Sequence, residues 1–253
     1  MVENRRYWDA LADEWVAMGE RAWLPSAEPR WGVWHIPDAE LGLLPTDMSG
    51  MRAVELGCGT GYVSAWMARR GATVLAIDNS ERQLETARRL SLEHGITSIT
   101  WVHASAEAVD EPDGSFDFAI SEYGIVDWGD PDAWVPETHR LLRRGGELVM
   151  LGNHPLATVC QPLDGSLPIG RTLTLPYFGM HRLDWTAVEV DPGGINFNLP
   201  ISGWIKLFHR TGFELVDYHE LRAPDDAVDV PVLVSAEWAR EYPSEQVWHV
   251  RKR

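Results

Sequence analysis

Three glycines, Gly57, Gly59 and Gly61, fall at alternate positions of "VELGCGTGYVSAW" (54–66), and Glu55 stands two residues ahead of the first. A strand, a tight glycine turn and a helix bring backbone N–H groups up to a ligand, with the positive end of the helix pointed the same way. The spacing G-x-G-x-G places the third glycine one residue earlier than the dinucleotide fingerprint does, and a diphosphate is disfavoured beside the Glu55 carboxylate. A ligand carrying an ammonium group and a positive sulfur has the opposite preference. Asp78, about twenty residues on, closes the apolar run "VLAID", where a carboxylate at a strand's carboxyl end can accept both hydroxyls of a ribose. Its alternative task, capping the next helix, is already within reach of Ser80.

Proton transfer points to histidine. Of nine histidines, His154 in "GNHP" is best placed, at the mouth of a strand, with His35 second. Five of 13 tryptophans lie in the first 34 residues. Trp8 and Trp15, seven apart, read as pins for an N-terminal helix, whereas Trp34 in the turn-rich "WGVWHIP" is expected to wall the cofactor pocket. Tyr177, Phe178, His181, Trp185 and Phe197 offer aromatic surface with few charges, which implies an apolar or aromatic substrate. Asp127, Asp130 and Asp132 read as loop and capping residues, and no compact ligand set implies a metal.

These residues need elements to position them. "RAVELG" (52–57), "ATVLAID" (72–78), "SITWVHA" (98–104), "FDFAISEY" (116–123) and "GELVMLGNH" (146–154) are short, apolar and β-prone, as strands covered on both faces are. Between them run helical signals. Ser80 to Gln83 is a capping box ahead of the stripe Leu84, Ala87 and Leu90, with Gly95 as a stop; Asp130 and Pro131 open a helix expected to end at "RRGG", although Pro136 could delay its start to near Val135. Alternating strands and helices imply right-handed crossovers and a doubly wound, mainly parallel α/β sheet. "FELVDYHEL" and "EQVWHV" are expected to form an antiparallel hairpin at its edge. Residues 155–200 hold six of the sixteen prolines and the strand-like "RTLTL" and "INFNL", and with the helical and turn-rich 1–49 are expected to cap the sheet's carboxyl edge. The organisation is therefore a cap (1–49), a cofactor-binding core (50–154), an inserted cap (155–200) and a completion of the core sheet (201–253).

"VELGCGTGYVSAWMARRGATVLAIDNSERQLETARRL", "DGSFDFAISEYG" and "HRLLRRGGELVMLGNHP" resemble, in order over roughly residues 50–154, the class I S-adenosylmethionine-dependent methyltransferases. The resemblance implies a Rossmann-like seven-stranded sheet with an antiparallel last strand, S-adenosyl-L-methionine as cofactor, and methyl transfer. It also implies roles. Gly57, Gly59 and Gly61 approach the methionine part, Glu55 holds the ammonium, Asp78 takes the ribose and Asn79 lies against the adenosine. Where the family has an Asp for the adenine amine this chain has Ser105, with the Ala106 amide beside it; Glu107 is a possible substitute. Ser121 borders the methionine chain, Tyr123 faces the reaction centre as a catalytic candidate beside His154, and Tyr7 reaches the cofactor carboxylate if its helix folds over the site.

The chain as a whole sets limits. A length of 253 residues with 45% hydrophobic content supports a large core, and a formal charge of −16 repels a phosphate backbone, so no nucleic-acid partner is expected. Two cysteines, no apolar leader and no run long enough to span a bilayer indicate a cytoplasmic protein without a membrane partner, a monomer or homodimer. The expected reaction is methylation of O or N, less readily C, on a small molecule. Two alternatives stay open: a non-catalytic binding module on the same fold, and an NAD-dependent dehydrogenase.

Overall fold

A computed structural model describes residues 2–229 and 234–253. Among the described residues, eleven strands and nine α-helices follow in chain order. The N-terminal part is α1 (Val2–Ala22), the ribbon β1 (Arg30–Trp31) and β2 (Ile36–Pro37), and α2 (Asp38–Leu41). The core follows as β3 (Arg52–Leu56), α3 (Tyr62–Arg69), β4 (Thr73–Asp78), α4 (Glu81–Glu93), β5 (Ile99–His103), β6 (Phe116–Glu122), α5 (Ile125–Trp128), α6 (Pro131–Leu141) and β7 (Leu142–Asn153). The remainder is α7 (Pro155–Val159), the ribbon β8 (Arg182–Asp184) and β9 (Ile195–Phe197), α8 (Ile201–Thr211), β10 (Phe213–Leu221), α9 (Ala236–Glu241) and β11 (Glu245–Lys252).

Seven strands form one sheet in the order β10-β11-β7-β6-β3-β4-β5. Strands β3 to β7 pair in parallel, and β11 lies antiparallel between β10 and β7. The chain winds outward from β3 through β4 to β5, then returns to β6 on the other side, so strand order reverses between β3 and β6. Ligands of open α/β sheets bind in the crevice this reversal leaves. One face packs Val63, Met67 and Leu84 with N-terminal Trp23 and Trp31; the other packs Trp134, Trp204, Phe208 and Trp248. Fully burying an aliphatic or Phe side chain contributes on the order of 1.5–3 kcal/mol, so these two layers supply most of the cohesion.

Local chemistry accounts for the boundaries. Ser80 Oγ accepts Gln83 N–H and starts α4, but the reciprocal half of the capping box is missing, since Ser80 N–H goes to Asp78 Oδ1. Asp130 Oδ1 accepts Asp132 N–H and α6 begins at Pro131; Pro136 is held inside the helix and does not delay it. That helix stops at Leu141, so "RRGG" belongs to β7 and not to the helix end. Strands β10 and β11 pair antiparallel as expected, yet α9 lies between them and they are no tight hairpin. "INFNL" contains β9, whereas "RTLTL" forms no strand.

Helix α1 lies across the carboxyl ends of the parallel strands. Its Gly19 sits so close to Thr60 that an added Cβ would lie 2.7 Å from the Thr60 hydroxyl, and Trp23 Nε1–H donates to Thr60 O at 2.8 Å. Asp38 then ties the turn-rich segment to the core, accepting from Trp31 Nε1–H and pairing with Arg70 at 2.7 Å. Among the described residues no helix is long and apolar enough to cross a membrane.

Candidate active site

Strand β3 ends in the turn 57–61, which passes directly into α3. Gly57 N–H and Cys58 N–H both donate to Ile77 O of the neighbouring strand, fixing the turn beside the end of β4. There Asp78 accepts Gly59 N–H at 2.7 Å and Ser80 N–H at 2.8 Å. A carboxylate has about four acceptor sites, so Asp78 keeps capacity for a ligand. Around this turn lies a partly open cleft. Its floor includes Glu55, Gly57, Gly59 and Asp78; its walls include Trp8 and Trp15 of α1 and Trp128 after β6. Trp8 meets Trp128 edge-on with ring centroids 4.9 Å apart.

At the far side, Glu122 at the end of β6 receives the Tyr62 hydroxyl and, at 3.2 Å, Gly32 N–H. Next to it, Tyr123 has φ of 52°, a left-handed backbone that costs a bulky residue about 1–3 kcal/mol. Two contacts hold it there: Tyr123 N–H to Leu151 O at 2.9 Å, and its hydroxyl to Glu245 Oε1 at 2.8 Å. Val33 N–H also donates to Glu245 Oε1. The turn between β1 and β2 therefore sends successive N–H groups to two acids on two strands.

Residues 54–150 match the family model of a methyltransferase domain. A solved S-adenosylmethionine-dependent methyltransferase from Mesorhizobium loti superposes with a TM-score of 0.66 at 26% identity, over 85% of this chain and 96% of its own. Residues 54–150 thus carry a methyltransferase domain, on a fold shared with S-adenosylmethionine-dependent methyltransferases. Curated relatives include a ubiquinone biosynthesis O-methyltransferase of Ruegeria pomeroyi, 35% identical over 43% of each chain. Another is a ribosomal RNA small subunit methyltransferase C of Chromohalobacter salexigens, 30% identical over 45% of this chain and 35% of its own. The match thus spans less than half the length of these two relatives. S-adenosylmethionine is the family's cofactor.

The cleft gathers Glu55, Gly57, Gly59, Asp78, Asn79, Ala106 and Tyr123 from the residues expected on sequence grounds. Others stand elsewhere. Gly61 belongs to the turn but faces Trp101, and Ser121 is buried beneath, donating to Leu56 O at 2.9 Å. Ser105 Oγ accepts Glu107 N–H, and Glu107 in turn accepts Asp130 N–H, so neither side chain is among the cleft's lining. Tyr7 stacks on Trp128 outside the cleft, with centroids 5.4 Å apart. Trp34 is buried, donates Nε1–H to Ser244 Oγ, and borders a separate surface depression together with His35. His154 caps α7, accepting Leu156 N–H at Nδ1, while its Nε2 lies 3.1 Å from Glu220; it does not line the cleft. A histidine just before Pro155 is where a helix cap is needed, and that local demand accounts for it. None of Tyr177, Phe178, His181, Trp185 and Phe197 lines the cleft either, and Phe178 is 86% exposed. Conversely, Trp8 and Trp15 do more than pin α1: both line the cleft.

Sequence reasoning passed over Tyr62, Gln83, Glu122 and Trp128. Two buried polar atoms at the cleft, Gln83 Oε1 and Thr60 Oγ1, have no hydrogen-bond partner among the described residues. Unpaired buried groups are costly, so both suit a polar ligand. With the Asp78 and Glu55 carboxylates and the aromatic walls, this lining fits the adenosyl and amino-acid parts of S-adenosylmethionine.

Among the described residues, the acids Glu55, Glu122, Asp127 and Glu245 form no ion pair with a basic side chain. Burial pushes Glu55 up to about 8, opposed by the Ser64 hydroxyl it accepts; it pushes Glu245 up to about 8 and Asp127 up to about 7. A carboxyl whose folded pKa exceeds its unfolded value holds its proton more tightly when folded. Its contribution to stability is full below the ordinary carboxylate range and falls as pH rises toward 8, by up to about 1.4 kcal/mol per pH unit for each group. Glu245→Gln keeps an acceptor for Tyr123 and Val33 and removes one of these protons. Urea midpoints of the variant are expected to decline less steeply than wild type between about pH 5 and 8; parallel declines would exclude Glu245 as a titrating group.

Proposed function

We propose that this protein transfers a methyl group from S-adenosylmethionine to an oxygen or nitrogen, less readily a carbon, of a small apolar or aromatic molecule. The observation that carries the reading is the pairing of Asp78 and Glu55 around the glycine turn at the reversal of strand order, within a cleft walled by Trp8, Trp15 and Trp128. When bound, the cofactor supplies an electrophilic methyl on a positive sulfur. Asp78 accepts the ribose hydroxyls, Gly59 and Asn79 lie against the nucleoside, and Glu55 faces the ammonium. In-line transfer needs alignment and exclusion of water more than it needs a base, and α1 with its tryptophans covers the cleft for that purpose. Tyr123 is the residue assigned to the acceptor side. Residues 1–49 act as a cap, 50–154 and 201–253 as the binding core, and 155–200 as a flank outside the cleft.

The Ruegeria relative supports a small-molecule O-acceptor. The ribosomal RNA methyltransferase relative supports a nucleic-acid acceptor instead, and the formal charge of −16 opposes it. The test is ligand-linked stability. S-adenosylhomocysteine at 100 times its Kd is expected to raise Tm by roughly 5–10 °C, and NAD is expected to leave it unchanged. A rise with NAD alone would replace the methyltransferase reading with a dehydrogenase.

A further inference from the structure

Asp78, Gly57 and Glu122 stand at one level on three adjacent strands. Leu56 pairs with Ile77 across β3 and β4, and Glu55 pairs with Ile120 across β3 and β6, so the next positions, Gly57 and Asp78, lie level with Glu122. At about 4.8 Å per strand, the two carboxylates flank the glycine turn about 10 Å apart. Charged side chains lining the cleft are Arg5, Glu55, Asp78 and Glu122. Arg5 is exposed and turned to Asn79 Oδ1 on the Asp78 side. Glu122 therefore faces the cleft with neutral donors alone, the Tyr62 hydroxyl and Gly32 N–H. Its neighbours bring no cation: Glu55 on β3, Glu245 on β11 and the Tyr123 hydroxyl all feel its charge, and each holds its proton more tightly for it. Where Glu122 is ionised, no cation of the described residues stands opposite it in the cleft, and a cationic ligand supplies one.

Resting on the methyltransferase reading, we infer that Glu122, oriented by Tyr62 and Gly32 N–H, is the residue that makes the cleft prefer the sulfonium-bearing cofactor over its neutral thioether product. A ligand anchored by its ribose at Asp78 and extending over Gly57 brings the sulfur toward β6. Loss of the methyl group removes the positive charge facing Glu122, and the product then holds less tightly than the donor. The same carboxylate makes the preference pH-dependent. Burial raises the Glu122 pKa, so the carboxylate is lost as pH falls through that raised value, and discrimination grows as pH rises through it. The facing groups, Tyr62 from α3, Gly32 N–H from the N-terminal ribbon, Glu55, Tyr123 and Glu245, include no cation to reverse that sign.

Calorimetric titration of the full chain with S-adenosylmethionine and separately with S-adenosylhomocysteine tests this without an acceptor. In the wild type at about pH 8, the donor is expected to bind about tenfold tighter than the product, the scale of one charge-assisted contact. Glu122→Gln is expected to weaken the donor about tenfold and the product less than about threefold. Equal loss of both ligands would assign Glu122 to the ammonium they share and overturn the inference, and so would a wild-type ratio near one. Tyr62→Phe keeps the charge and is expected to keep the preference. If Glu122→Gln fails to fold, the wild-type ratio decides: a preference for the donor that grows as pH rises supports the inference, and a preference that is flat or falls overturns it. Failure of the wild type to bind either ligand overturns the cofactor reading itself.

Discussion

Replacing Gly57 by alanine is expected to lower stability by about 3 kcal/mol and Tm by roughly 6–12 °C, and to abolish cofactor binding in the same variant. Two effects add. The residue has φ of 80°, which costs an L side chain, and a Cβ there would lie 2.6 Å from both Gly124 Cα and Ile125 N. Neither neighbour is a flexible side-chain end. Both are backbone, and Gly124 follows β6, which pairs with β3, so relief requires the two strands to part. Gly59→Ala is the control. Its φ is 52°, but the nearest atom to an added Cβ is Gln83 Oε1 at 4.0 Å, so its expected cost is about 1 kcal/mol, the backbone part alone. Calorimetric melting of the two variants compares them directly. Equal losses would show that the backbone conformation, and not the contact with Gly124, makes Gly57 necessary.

Asp78→Ala is expected to weaken S-adenosylhomocysteine by about 10- to 100-fold, since a hydrogen bond to a charged group contributes about 1.5–3 kcal/mol. Two consequences of the substitution must be kept apart. Asp78 also accepts Gly59 N–H and Ser80 N–H, so its loss loosens the turn and the start of α4 as well as the ligand contact. Asp78→Asn retains an oxygen for one of those amides. A binding loss in Asp78→Asn, measured by titration calorimetry at a temperature where both variants remain folded, isolates the ribose contact. Affinity equal to wild type in both variants would end that assignment.

Much of this architecture was legible because the relevant interactions are local or periodic. Strands β3, β4 and β6 were readable as mainly apolar runs, as burial on both faces favours, with Glu55, Asp117 and Ser121 as the polar interruptions. The turn 57–61 and Asp78 were readable because only a few residue types permit those backbones and contacts. The site's outer half was not. Trp8 and Trp15 stand seven apart on a helix, a spacing equally suited to packing and to lining a cleft, and only the path of α1 over the sheet decides between them. Tyr62 and Glu122 come from different elements, and nothing near either announces the other. His154 illustrates the converse: a residue type suited to catalysis is consumed by a helix cap, a purely local need. The aromatic residues of 155–200 looked suited to a substrate pocket by composition, yet composition carries no direction, and none of the five singled out faces the cleft.

The N–H groups of the β1–β2 turn reach Glu122 and Glu245, and the second of these contacts closes 212 residues of chain. So long a closure is rewarded only after the intervening strands have assembled, and it belongs to the late events of folding. Tyr123, already tied by its N–H to Leu151 O, gains its second restraint from that same Glu245. Partly assembled chains already own the glycine bend and Asp78, while the side of the crevice formed by Glu122 and Tyr123 gains its last ties only with the N-terminal ribbon in place.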